Sequence, residues 1–144
     1  MDSHPYPFIE KGMKKLLGSA PIATDLALLI LRLGFGLLLA FDHGLPKLRH
    51  PEGDFVDFLG LGTKISMGLC IFGEFFCSLL VAAGLFTRLF LVPLIITMSV
   101  AVFQAHAHDP LAKKEHALLY LIVFVVLFLT GPGKCSLDAW IRKK

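Results

Sequence analysis

Apolar residues run in four long blocks along the chain, about 22–41, 65–86, 88–106 and 110–130, separated by short polar stretches. Each block is close to the ~20 residues that cross ~30 Å of hydrocarbon as a helix. The pattern therefore predicts an all-α fold, an integral membrane four-helix bundle. Boundary chemistry agrees with it: Thr87 can cap the third helix, and Asp109 followed by Pro110 forms an N-cap with proline at the first helical position. Gly131 and Pro132 stop the fourth helix. Pro93 lies inside the third, where it removes a backbone hydrogen bond, bends the helix and makes room for a cavity. The longest connection, 42–63, contains EGDFVDFLGLG, whose mixture of acids and apolar side chains suits an interfacial or re-entrant segment. A short interfacial segment, 134–144, closes the chain, with Ser136 as helix cap and Trp140 at the head-group level. Residues 1–144 read as a single transmembrane domain.

Composition sharpens this picture. A hydrophobic content of 56% and a mean hydropathy of +0.73 exceed those of a soluble domain. The net charge of +3 comes from lysines and arginines near the ends of the apolar blocks, which suits interfacial anchoring and points to no nucleic acid. The block at 22–41 is longer than the ~7–15 apolar residues of a signal peptide, so a retained first helix and no cleavable targeting segment are expected. An even number of spans puts both termini on one side. That side carries eight Lys/Arg (Lys11, Lys14, Lys15, Arg88, Lys134, Arg142, Lys143, Lys144) against five on the other (Lys47, Arg49, Lys64, Lys113, Lys114). The positive-inside rule then places both termini in the cytoplasm of a multi-pass cell-membrane protein, with a bacterial cytoplasmic membrane as the expected location.

Charges inside the apolar blocks mark the candidate chemistry. Arg32 and Glu74 both fall near mid-membrane at ~1.5 Å per residue, where an isolated charge costs at least ~2.5–3.5 kcal/mol. The simplest expectation is an Arg32–Glu74 pair, either as the floor of a polar cavity in which Glu74 accepts a proton or as an ion pair that fixes helix register. Cys70, Glu74 and Cys77 share one helix face, yet the two cysteines lie about 10 Å apart along the axis, beyond the ~7 Å a disulfide tolerates. A second polar layer gathers Asp42, His43, Lys47, Gln104, His106, His108, Glu115 and His116 at the far ends of helices one, three and four. It suits a mouth for a polar head group, with His43 and His106 as proton carriers. Its histidines match no metal-binding spacing, and no metal is assigned.

Several stretches together resemble the DoxX family of small four-helix membrane proteins, over roughly residues 25 to 140. They are LRLGFGLLLAFDHGLPKL (31–48), GEFFCSLLVAAGLFTRL (73–89), the outer His106, Glu115 and Tyr120, and GPGKCSLD (131–138). GPGKCSLD and the GLFTR turn are the most specific of these. The family's polar pattern falls on Arg32, His43, Gly44, Lys47, Glu74, Arg88, Glu115 and 131–138, while Asp42, His116 and Cys135 depart from it. The resemblance implies an integral membrane protein. Some relatives are linked to quinone-coupled oxidation of thiosulfate or to oxidative-stress complexes.

These readings combine into a redox-associated membrane subunit whose polar cavity takes a quinone or a small sulfur-containing molecule. Glu74 and Glu115 are the proton acceptors, with His43 and His106 beside them; Arg32, Lys47, Gln104 and Tyr120 form the binding set. The chain has no CxxC, no haem-attachment CxxCH and no dinucleotide fingerprint, so a diffusible quinone or an oxidoreductase partner subunit must carry the electrons. Two other readings stand beside it: a non-catalytic scaffold or assembly partner for an oxidoreductase, and a small transporter, which four helices would build only as a homo-oligomer.

Overall fold

The computed structural model describes residues 23–51, 57 and 60–143. Expectations for the N-terminal 1–22 and for most of EGDFVDFLGLG fall outside the described residues. The described chain forms four long helices, α1 (Thr24–Arg49), α2 (Thr63–Ala83), α3 (Thr87–Ala105) and α4 (Leu111–Thr130), followed by the short α5 (Leu137–Ile141). The first three are long and apolar enough to cross a membrane. The fourth is 20 residues long and collects Lys113, Lys114 and Glu115 at its start. Successive long helices pack side by side, and α4 also packs against α1.

Helix α1 continues eight residues beyond the end expected at Phe41. Leu39–Gly44 widens into π-helical geometry and leads directly into the turn Leu45–Arg49, which carries Pro46. A wide turn of this kind absorbs an irregular residue without ending the helix. Matching π-helical stretches occur in α2 (Phe72–Cys77) and α3 (Ala101–Ala105). The cap expectations hold in part: Ser136 accepts the Ala139 N–H at 3.2 Å, and Gly131 ends α4 at φ 83°. The N-cap of α4 is Pro110, one residue beyond Asp109.

Leu39, Cys77, Val81, Leu91, Leu94, Met98, Phe124 and Leu127 fill the centre. Leu26, Ile30, Leu89, Phe103, Ile122 and Leu129 stand on the outside, an apolar exterior that lipid would cover. Helices α1 and α2 are antiparallel and in close contact. A Cβ at Gly36 would lie 2.8 Å from the Ser78 carbonyl oxygen, and one at Gly44 would lie 2.7 Å from the Phe75 nitrogen and 2.8 Å from the Glu74 carbonyl.

This register overturns the expected Arg32–Glu74 pair. Glu74 sits at the level of Gly44, three turns along α1 from Arg32, or roughly 18 Å at ~1.5 Å per residue. The expectation placed the far end of helix one at Phe41, whereas the helix runs on to Arg49. Arg32 is fully buried and serves the opposite end of α2. That helix ends in paired bonds, Gly84 N–H to Val81 O and Leu85 N–H to Leu80 O, with Gly84 left-handed at φ 73°. Arg32 Nη1 donates to Ala82 O at 3.0 Å and to Val81 O at 3.4 Å, while Nη2 donates to Cys135 O at 2.6 Å. A cation thus sits at the negative end of the α2 dipole.

Asp138 completes this end. Its carboxylate accepts the Phe86 N–H at 2.7 Å, the Thr87 N–H at 2.9 Å and the Thr87 hydroxyl at 2.8 Å. Thr87, expected to cap α3, is itself capped by Asp138. The contact also holds Phe86 at φ 45°, a left-handed conformation that costs a non-glycine residue about 1–2 kcal/mol. On the other side Asp25 accepts the Lys134 N–H at 2.8 Å, tying the closing segment to α1.

Two outcomes follow. Gly44→Ala should lower thermal stability in detergent by about 1–3 kcal/mol through overpacking of α1 on α2, whereas Gly34→Ala, with nothing within 4 Å of the added Cβ, should be neutral or slightly stabilising. Equal losses at both glycines would sink the close-contact account. Burial alone would raise the Asp138 carboxyl, but its bonds to Thr87 and Phe86 outweigh that and hold it below the ordinary value. Its stabilisation is therefore complete above the unfolded value of about pH 4 and is lost only as pH falls through the depressed one. Fluorescence of Trp140, the single tryptophan, should report an acid transition below about pH 4 that Asp138→Asn abolishes.

Candidate functional site

The far half of the α2–α3 interface encloses a cavity of about 530 Å³. Pro93 lines it, as do Ile96, Thr97 and Val100 of α3, with Leu69, Cys70, Phe72 and Glu74 of α2 opposite. Two sequence features shape the space. Proline cannot donate to the preceding turn, and Gly73 lets α2 approach Thr97 so closely that a Cβ there would lie 2.8 Å from the Thr97 hydroxyl. That hydroxyl donates to the Pro93 carbonyl at 2.9 Å.

Lys47 reaches into this cavity from α1. Its ammonium lies 2.7 Å and 2.6 Å from the two Glu74 oxygens and 3.5 Å from Cys70 Sγ. The Glu74 side chain is 6% exposed and that of Lys47 33%, so the carboxylate is the more buried partner. The π-helical stretches position both groups: Leu39–Gly44 and Phe72–Cys77 pack against each other, and Lys47 follows one turn on. Ser78 ties the Glu74 turn down by donating to the Glu74 carbonyl.

The expected site residues separate in space. Glu74, Lys47 and His106 line the cavity, and His106 Nδ1 lies 2.8 Å from Asp109 Oδ2. That contact, followed by Lys113, holds the Asp109 carboxyl below its usual range. His43 and Tyr120 meet each other instead, with ring centroids 5.9 Å apart and edge-on, and Tyr120 stacks on Phe124. Gln104 and Glu115 are exposed and outside the cavity lining. Arg32 belongs to the opposite end of the bundle. Ser66 and Thr97, both in the lining, were not singled out by sequence, because a lone hydroxyl in an apolar run carries no spacing signal. Cys70, Cys77 and Cys135 are all unbridged, and among the described residues no three His, Cys, Asp or Glu converge to hold a metal ion.

Chemically, the arrangement is a buried carboxylate able to accept a proton, an ammonium able to donate to a carbonyl or anion, and a thiol beside both, within mostly apolar walls. Removing one partner of a buried pair strands the other charge, so Lys47→Met and Glu74→Leu should each cost on the order of 3 kcal/mol. The double variant should cost clearly less than their sum when thermal unfolding is followed in detergent. Strict additivity would mean that the two groups do not interact.

The comparisons with known proteins bear on the whole arrangement. Neither a curated protein nor a solved structure matches the chain. The DoxX family profile matches residues 27–107, more than half of the chain, and so covers α1 to α3 with the cavity and its ion pair. The protein belongs to the DoxX family of membrane proteins.

Proposed function

We propose that the protein is a redox-associated membrane subunit of four spans, and that its α2–α3 cavity holds a quinone or a small sulfur-containing molecule. The observation that carries this reading is the Lys47–Glu74 pair set into an apolar cavity of about 530 Å³. Ligand sites characteristically combine apolar walls with a few convergent polar groups, and ionisable residues within membrane-spanning helices are costly, rare and by default mark a functional site. In this reading the Lys47 ammonium donates to a carbonyl or anionic head, Glu74 takes up the proton, and Leu69, Phe72 and Ile96 hold the apolar body. His106 links the cavity to the polar end of the bundle, and an oxidoreductase partner exchanges the electrons.

The fourth span is α4. Its three charges lie in the first five residues, where side chains reach the interface, and 20 residues rise about 30 Å. Both termini then face the cytoplasm, on the side of the chain richer in lysine and arginine.

Organic extraction and mass spectrometry of protein purified in mild detergent test the cavity. The expected result is a quinone or sulfur compound retained by the wild type and lost from Ile96→Trp, which fills the cavity without touching the ion pair, and from Glu74→Gln. Equal ligand content in wild type and a folded Ile96→Trp would sink the proposal.

A further inference from the structure

A second groove, of about 770 Å³, lies at the opposite end of the bundle, where α3 begins and α4 ends. Arg88, Lys134 and Arg142 line it together with two acids, Asp25 and Asp138. Both acids are committed within the chain: Asp138 to Phe86 and Thr87, and Asp25 to the Lys134 backbone N–H and, at 3.9 Å, to its ammonium. Neither arginine forms a salt bridge with a carboxylate among the described residues, although the charge of Arg142 is near enough to Asp138 to help lower that carboxyl. Arg88 Nη2 reaches only the Leu129 carbonyl, at 3.5 Å, and Arg142 Nε donates to the Asp138 carbonyl at 3.2 Å. Both are exposed, and so are Phe86, Leu89 and Ile141, which line the groove with them.

We infer that this groove binds the head group of an anionic phospholipid. Two exposed guanidiniums, hydrogen-bonded only to backbone carbonyls and salt-bridged to no carboxylate among the described residues, offer forked donors to a phosphate. They stand in the first turn of a membrane-crossing helix and just beyond α5, at the level where head groups lie, and the exposed apolar side chains beside them give acyl chains a surface. Residues 1–22, the other candidate occupant, carry Lys11, Lys14 and Lys15 against Asp2 and Glu10, the wrong sign for a basic groove. The inference is independent of what occupies the α2–α3 cavity.

Native mass spectrometry of the full chain, titrated with phosphatidylglycerol or with phosphatidylcholine of the same acyl composition, is the test. Phosphatidylglycerol should bind the wild type more tightly, and Arg88→Gln/Arg142→Gln should weaken it at least about tenfold, since each basic side chain near an anionic lipid surface is worth roughly fivefold. Arg88→Lys, which keeps the charge but loses the fork, should bind more weakly than the wild type and more tightly than the double variant, and circular dichroism should show every variant folded. Inorganic phosphate should compete only at far higher concentration. Equal affinity for the two lipids, unchanged binding by the double variant, or phosphate binding as tight as the lipid would each overturn the assignment. Loss of binding on changing Lys11, Lys14 and Lys15 to glutamine, with Arg88 and Arg142 intact, would overturn it as well.

Discussion

A buried guanidinium that must find oxygen atoms organises this protein. Arg32 is inaccessible to solvent, and among the described residues no carboxylate hydrogen-bonds to it; its two terminal nitrogens donate to carbonyls at the end of α2 and to that of Cys135, while its Nε has no hydrogen-bond partner among those residues. The Ala82 carbonyl is available because a helix leaves its last C=O groups without helical partners, and Val81 O takes the guanidinium in addition to the Gly84 N–H of the left-handed turn. Satisfying one charge therefore joins three parts of the chain: the first span, the α2–α3 turn and the closing segment. Asp138 repeats the device with opposite sign, placing a carboxylate over the first N–H groups of α3. The two most specific stretches of the family resemblance, GLFTR and GPGKCSLD, meet here, which accounts for their residue choice as architecture.

With one end of the bundle fastened in this way, the other end is left for the ion pair and its cavity. Glycines at 36 and 44 bring α1 against α2, and Gly44 sets the Glu74 turn at the height Lys47 can reach. Pro93 and the π-helical stretches loosen regular helix geometry there. Irregular backbone of this kind is tolerated inside a membrane where neighbouring groups satisfy it or where it lines a cavity, and Pro93 lies in the cavity lining.

Much of the fold was legible from the chain. Four apolar blocks marked four helices to within a few residues at most ends, Ser136 and Gly131 acted as the caps their chemistry suggests, and Pro93 borders a cavity. The candidate site was legible in its members and not in their pairing. Glu74, Lys47 and Arg32 stood out because charges in apolar runs are expensive. Joining Arg32 to Glu74 failed because Asp42, His43, Gly44 and Pro46 read as a loop, and the helix passes through all four. Height alone groups Glu115 and Gln104 with the mouth, and both are exposed and outside the cavity lining.

By itself the sequence determined what depends on local composition and period: spans of membrane length, their breaks and caps, and the presence of ionisable groups that must be neutralised. Only the tertiary structure decided which group neutralises which. That choice depends on the relative height of two antiparallel helices, and a shift of a few residues in one helix end moves every cross-helix partner by several ångströms at ~1.5 Å per residue. Close packing at Gly36 and Gly44 sets that height here. It gives Glu74 to Lys47 and leaves Arg32 to the backbone.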